Sequence, residues 1–250
     1  ADTRIRDIRH PKGLGLYGNH NVCIEQGRGE FLCFIHDHDE HAPHMVGRYV
    51  QFLQEHPRVG VVSSDWELID ETGASLGLRR HAVAPITPGL TYIEQTIKSG
   101  RSSIGIPGAM VRRKALGRVR FDERGHLGFG DFVVWCHLAE GWDIGHISAR
   151  LWRWRQHAKA QSARTIISLT RDYFENLNAY CDGYLSRHPT ELRRVVRWRR
   201  RINQYLFWAL AYEVGLSCRR GGALEHCAAS PTLFEILGYR LSKEAFDTAL

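Results

Sequence analysis

A change of periodicity partway along the chain sets the first limit on its architecture. Up to about residue 157, short apolar β-type runs alternate with helical patterns, and beyond Gln161 the pattern is wholly helical. Alternation of that kind predicts an α/β layer architecture, followed by a helical region. Residues 31–35 (FLCFI) are apolar throughout and run into acids, which predicts a buried parallel strand with its C-terminal end exposed. Residues 45–56 place Val46, Tyr49, Val50 and Leu53 at helical spacing, and residues 59–65 predict the next strand. Residues 102–111 read as extended, residues 131–141 as a helix closed by Gly141, and residues 144–147 and 151–155 as two further strands. Long amphipathic helices are expected over 166–186 and 191–217, with shorter ones near 222–229 and 232–249. Pro189 and Gly221-Gly222 mark the breaks. The expected division is therefore 1–160 and 161–250.

Composition narrows the class. A chain of 250 residues, 24% charged and 43% hydrophobic, makes one large or two modest domains with a real core. Its longest uncharged apolar run, residues 205–212, is far short of the roughly 20 residues that cross a bilayer. Six cysteines without a C-x-x-C pair indicate neither a zinc ribbon nor a disulfide framework, so reduced thiols and a cytoplasmic setting are expected. The net charge of +7 concentrates in Arg193, Arg194, Arg197, Arg199, Arg200 and Arg201. That patch reads as a solvated helix face or as a contact for an anionic surface. No recognisable nucleic-acid-binding fold accompanies it, and no nucleic acid is expected. On helix 191–217, Leu192, Val195, Val196, Ile202, Leu206 and Leu210 form the expected buried stripe, with the arginines largely opposite.

The most informative stretch is FLCFIHDHDEHAPH. Asp37 and Asp39 are two residues apart, so in extended geometry both carboxylates share one side. They follow the end of a predicted strand, the usual ligand position in an open α/β sheet. Paired hard oxygen ligands suit Mn²⁺ or Mg²⁺. The plainer alternative is a solvated acidic loop capping a helix that starts near Pro43. A third possibility lies in the same letters: His36-Asp37-His38-Asp39-Glu40-His41 resembles the HxHxDH signature of metallo-β-lactamase-like hydrolases, with Glu40 in place of its aspartate. That resemblance implies zinc and a metal-bound hydroxide nucleophile.

Several blocks in order carry a wider resemblance. GNHNVCIEQGRGEFLCFIHDHDEHAP, VVSSDWELIDETG (61–73), IGIPGAMVRRKAL (104–116), FDERGHLGFGDFVVWCHLAEG (121–141) and LWRWRQHAKAQS (151–162) together resemble family-2-type glycosyltransferases of the GT-A fold. The resemblance implies a GT-A, Rossmann-like catalytic domain over 1–160 that lacks its first βαβ segment and its D-D-x-S-x-D motif. It also implies an inverting, metal-dependent transfer from a nucleotide-diphosphate sugar to a glycan or lipid-linked acceptor, as in bacterial envelope polysaccharide synthesis. A non-catalytic remnant of such a transferase is the other reading that a missing front segment leaves open.

Site roles follow from that resemblance. Asp131 matches the catalytic base. Asn21 and Asp37 would lie against the nucleotide, Pro107 and Gly108 beside the donor sugar. Asp39, with Asp37 and His157, would hold Mn²⁺ or Mg²⁺. Gly130 stands where the family has an acid, and His20 where it has an arginine. The helix N-terminus at Asp131 is expected to favour its anion and lower its basicity. Trp135, Trp152 and Trp154 are expected to serve the core in preference to stacking on sugars. The patch at 193–201 is expected to meet the anionic inner face of a membrane, giving a cytoplasmic, peripherally attached enzyme.

Overall fold

A computed structural model describes residues 2–100, 102–123, 130–156 and 166–219. Helix α1 (Gly15–Gln26) leads into strand β1 (Phe31–Cys33), a turn, and the short β2 (Glu40–His41). Helix α2 (Met45–Glu55) then precedes the long β3 (Val59–Ile69), which turns back into β4 (Ser75–Arg79). After β5 (Ile86–Thr87) come α3 (Gly89–Ser99), a 3₁₀ turn at Ile106–Gly108, β6 (Met110–Arg112) and α4 (Arg113–Leu116). The described chain continues with α5 (Gly130–Ala139), β7 (Asp143–Arg155), α6 (Ile166–Arg187) and α7 (Leu192–Arg219).

The sheet has the order β1-β6-β3-β7-β2, with β4 added on β3 and β5 on β7. β3 and β7 pair in parallel, and the other pairs are antiparallel. β3 is buried on both faces because neighbouring residues point to opposite layers. Val61 joins a core shared with Ile93, Trp135, Tyr173 and Trp198, whereas Val59 and Val62 join Tyr49, Leu53 and Trp152. Helix α2 thus covers one face, and α1, α3, α5, α6 and α7 contribute to the other. The C-terminal helices share the larger core directly: Tyr173, Leu177, Val195 and Ile202 are fully buried in it.

Four expectations are corrected. Residues 31–35 do not form a central parallel strand. β1 covers only three of them, is half-buried, and lies at one end of the described strand order, antiparallel to β6. The strands expected at 144–147 and 151–155 are one strand, β7, whose ladder to β3 shifts register near Asp65. Residues 102–111 are extended only at their end, since the 3₁₀ turn interrupts them. In α7 the buried stripe is Val195, Trp198 and Ile202, while Leu192 and Val196 are exposed. The side chains of Leu206 and Leu210, and the helices expected near 222–229 and 232–249, lie outside the described residues. Helix α3 was not anticipated, although Gly100 at φ 63° closes it in the left-handed geometry typical of a helix C-terminus. Trp135 and Trp152 are core residues, as expected, and Trp154 packs against the Trp152 cluster.

Candidate active site

The chain leaves β1 at Phe34, turns at residues 37–38, and re-enters the sheet as β2, where Glu40 faces Arg153 and His41 faces Trp152 of β7. The turn abolishes the two-residue alternation on which the shared orientation of Asp37 and Asp39 depended. The Asp37 side chain is 99% exposed, and that of Asp39 is 0% exposed. Inside, Asp39 Oδ1 accepts the backbone N–H of Arg155 at 2.9 Å, while Oδ2 is buried without a hydrogen-bond partner. His36, His38 and Asp39 each bring one ligand-type atom into a group whose members lie within 4.8 Å of one another. Asp37 instead accepts a hydrogen bond from His38 Nδ1 at 3.0 Å, and this bond holds its carboxyl below the usual range. Burial lowers the pKa of both His36 and His20, whose rings meet at an Nε2–Nε2 distance of 3.3 Å. A cleft of about 790 Å³ opens over the cluster, lined by His20, Arg28, Ile35, His36, Asp37 and His38. That lies within the range of natural small-molecule sites.

The rest of the HDHDEH run points elsewhere. Glu40 is held by Arg153 and Arg155, and His41 Nε2 donates to Pro107 O at 2.8 Å. The six residues therefore do not gather around one ion, and Glu40 does not stand in for the aspartate of a zinc hydrolase motif.

The segment around the 3₁₀ turn is set by packing. A Cβ on Gly108 would sit 2.0 Å from Trp152 Nε1, so only glycine lets the backbone lie on that indole. Gly108 O accepts from Tyr49 Oη, and Pro107 O from His41, each at 2.8 Å. At its other end Ser102 Oγ bonds Tyr92 Oη at 2.8 Å. The Tyr92 phenol is pushed up chiefly by burial, with a contribution from the charge of Asp131. Residues 102–108 thus run between Tyr92 of α3 and His41 of β2, and Asp131 is not among the residues that line the cleft over His36 and His38.

Asp131 occupies the first turn of α5. Burial pushes its carboxyl up to about 6, outweighing the Phe132 amide that donates to Oδ1 at 3.0 Å. The expected lowering by the helix dipole is thereby corrected, because desolvation penalises the anion more than one short helix rewards it. Gly130 has a steric reason. A Cβ there would lie 2.6 Å from the Tyr17 ring, and its N–H donates to Tyr17 Oη.

Asn21 is buried in α1, and its amide is spent on protein. Phe121 N–H donates to Oδ1, and Nδ2 donates to both Phe121 O and Glu123 Oε1. Those bonds fix the segment ahead of α5, in place of the nucleotide contact expected. His157 lies outside the described residues. His20 was absent from the expected site, and His36 and His38 entered it only through the zinc-hydrolase resemblance, the run H-x-H-D being the signal for both.

Among the described residues no helix is long and apolar enough to cross a membrane. Against known proteins, residues 1–120 match the family model described as Glycosyl transferase family 2. No curated protein matches the chain.

Proposed function

Because this chain carries a glycosyltransferase family 2 domain over residues 1–120, we propose that it transfers a sugar, with inversion, from a nucleotide-diphosphate donor bound in the cleft over His36 and Asp39. The acceptor in this reading is a glycan or a lipid-linked glycan of envelope type. One observation carries it: the buried, unpartnered Asp39 Oδ2 clustered with His36 and His38, which line an open cleft. A buried carboxylate oxygen without a donor is costly unless a cation or a proton satisfies it, so the residues present fit the divalent ion that such a donor requires. Asp39 would hold that ion. When bound, the ion would neutralise charge developing on the leaving diphosphate.

The protein's own residues would do the remaining work. Asp131 would accept the acceptor hydroxyl's proton as the glycosidic bond forms, and a pKa near 6 leaves it mostly ionised yet basic at neutral pH. Residues 102–108, pinned at both ends, would hold the donor sugar between the two carboxylates. Gly108 and Pro107 would shape that wall through backbone, since the carbonyls already serve Tyr49 and His41. Asn21 would act as a positioning residue for the chain entering α5.

The outer face of α7 supports a peripheral membrane contact. Arg193, Arg197, Arg200 and Arg201 are exposed there beside Leu192 and Val196, whereas Arg194 and Arg199 turn to Glu191 and Asp182.

The test is release of nucleoside diphosphate from a panel of nucleotide sugars, with Mn²⁺ or Mg²⁺ and a lipid-linked acceptor mixture. Release from at least one donor, lost on the order of 10²-fold or more in Asp39→Asn, is expected. A folded wild-type chain that releases none from any donor overturns the proposal.

A further inference from the structure

Hydrogen bonds beyond the cluster determine which nitrogens face Asp39. His20 Nδ1 lies 2.8 Å from the Leu16 carbonyl, which can only accept, so His20 carries its proton on Nδ1 and offers a lone pair at Nε2. His36 Nε2, 3.3 Å away, must then be the donor, which leaves His36 Nδ1 with a lone pair. On the other side His38 Nδ1 donates to the Asp37 carboxylate at 3.0 Å, which turns the opposite ring nitrogen, Nε2, inward. His36 Nδ1 and His38 Nε2 are the nitrogens turned to Asp39. His36 Nδ1 is 3.9 Å from Oδ2, and His38 Nε2 is 3.9 Å from Oδ1. Two imidazole nitrogens and a buried carboxylate converge to within 4.8 Å of one another, with one carboxylate oxygen unpartnered. A cation held by all three would satisfy that oxygen.

From this we propose that His36, His38 and Asp39 form a three-ligand seat for a borderline transition ion, Co²⁺ or Zn²⁺, in preference to Mg²⁺. Asp37 and His20 are its orienting outer residues. The proposal deepens the reading of Asp39 as the cation-holding residue above, and it moves Asp37 from ligand to orienter. Two imidazoles and one carboxylate suit borderline ions, whereas Mg²⁺ favours oxygen and keeps its waters. At bond lengths of about 2.1 Å, ligand atoms sit about 3.0–3.4 Å apart. The three ligand-type atoms now lie within 4.8 Å of one another, so an ion would draw the widest pair together by about 1.5 Å at most to reach the upper end of that range. Three protein ligands leave coordination positions open toward the cleft, where a diphosphate can enter. Asp37 to His38 and Leu16 O to His20 to His36 are the kind of outer hydrogen bonds that fix ligand tautomers in metal sites.

The experiment titrates tag-free, chelator-stripped protein with Co²⁺ and follows its visible d–d absorption. Expected are one equivalent bound, displacement by Zn²⁺, and an apparent Mg²⁺ affinity weaker by on the order of 100-fold or more. Asp37→Asn changes a fully exposed side chain, so its melting temperature should stay at the wild-type value while Co²⁺ affinity falls about 10–100-fold. Asp39→Asn, which keeps the Oδ1 acceptor for Arg155, should abolish the spectrum. Displacement of Co²⁺ by equimolar Mg²⁺, or wild-type Co²⁺ affinity in Asp37→Asn, overturns the seat. An intact Co²⁺ spectrum in a chain that releases no nucleoside diphosphate supports the seat and removes only the transferase reading.

Discussion

Asp131 joins a proposed chemical role to a measurable energetic one. Its carboxyl ionises near 6 in the folded protein and near 3.8 when exposed. The unfolded chain therefore holds fewer protons between those values, and the ionised folded form carries a penalty fully present above about pH 6 and absent below about pH 4. The shift corresponds to at most about 3 kcal/mol, less where solvent reaches the group. Asp131→Asn should accordingly be more stable than wild type by about 1–3 kcal/mol at pH 8, with the gap closing by pH 4. The same variant should lose about 10²–10⁴ in kcat, and wild-type kcat/KM should rise to a plateau through pH 6. Urea melts at the two pH values and a pH–rate profile check this; equal stability at pH 8 would show that burial is not what sets the residue's proton affinity. At this scale the sequence offered Asp39 by its place after an apolar run, and Asp131 through the family resemblance. It could not reveal that a turn sends Asp37 outward, because a strand and a turn read alike in two letters. Nor could it show that Asn21 is consumed by the backbone of Phe121, a hundred residues on.

Glu140 joins two elements that are far apart in sequence. It closes α5 and receives hydrogen bonds from His137 on that helix and from Arg187 at the end of α6. Burial raises its carboxyl, but those partners override burial and hold it at about 2. Its stabilisation is therefore complete above about pH 4.5 and is lost as pH falls toward 2. Glu140→Gln should cost about 1–3 kcal/mol at pH 7, with little difference from wild type near pH 2, as measured by chemical denaturation. An unchanged denaturation midpoint at pH 7 would mean that α6 is held by its apolar face alone. The elements themselves were largely legible: α2, α5, α6 and α7 fall within two residues of their periodic patterns. Pairing was not. An apolar run such as 31–35 looks the same whether its neighbour is parallel or antiparallel, and β6, its partner, lies some 80 residues away. The phase of α7 also escaped, because Arg194 and Arg199 find acids on Glu94 and Asp182, which no pattern within the helix records.

Across the whole molecule, charge and core divide the C-terminal helices into an inner and an outer role. Their inner faces complete the larger core, and the outer face of α7 presents four exposed arginines beside exposed Leu192 and Val196. Each basic residue near an anionic surface contributes about 1 kcal/mol, screened over a Debye length. Co-sedimentation with phosphatidylserine vesicles should therefore exceed that with neutral vesicles, and 0.5 M salt or replacement of Arg193, Arg197, Arg200 and Arg201 by Gln should release the protein. Equal binding to neutral vesicles would remove the membrane contact. The parallel ladder between β3 and β7 has a consequence in time as well as in space. Its partners are separated by about 85 residues, and a ribosome adds about 5–20 residues each second. For roughly 4–17 s of synthesis the long, almost wholly buried β3 of the nascent polypeptide waits without its neighbour, and this interval is when a chaperone has most to guard.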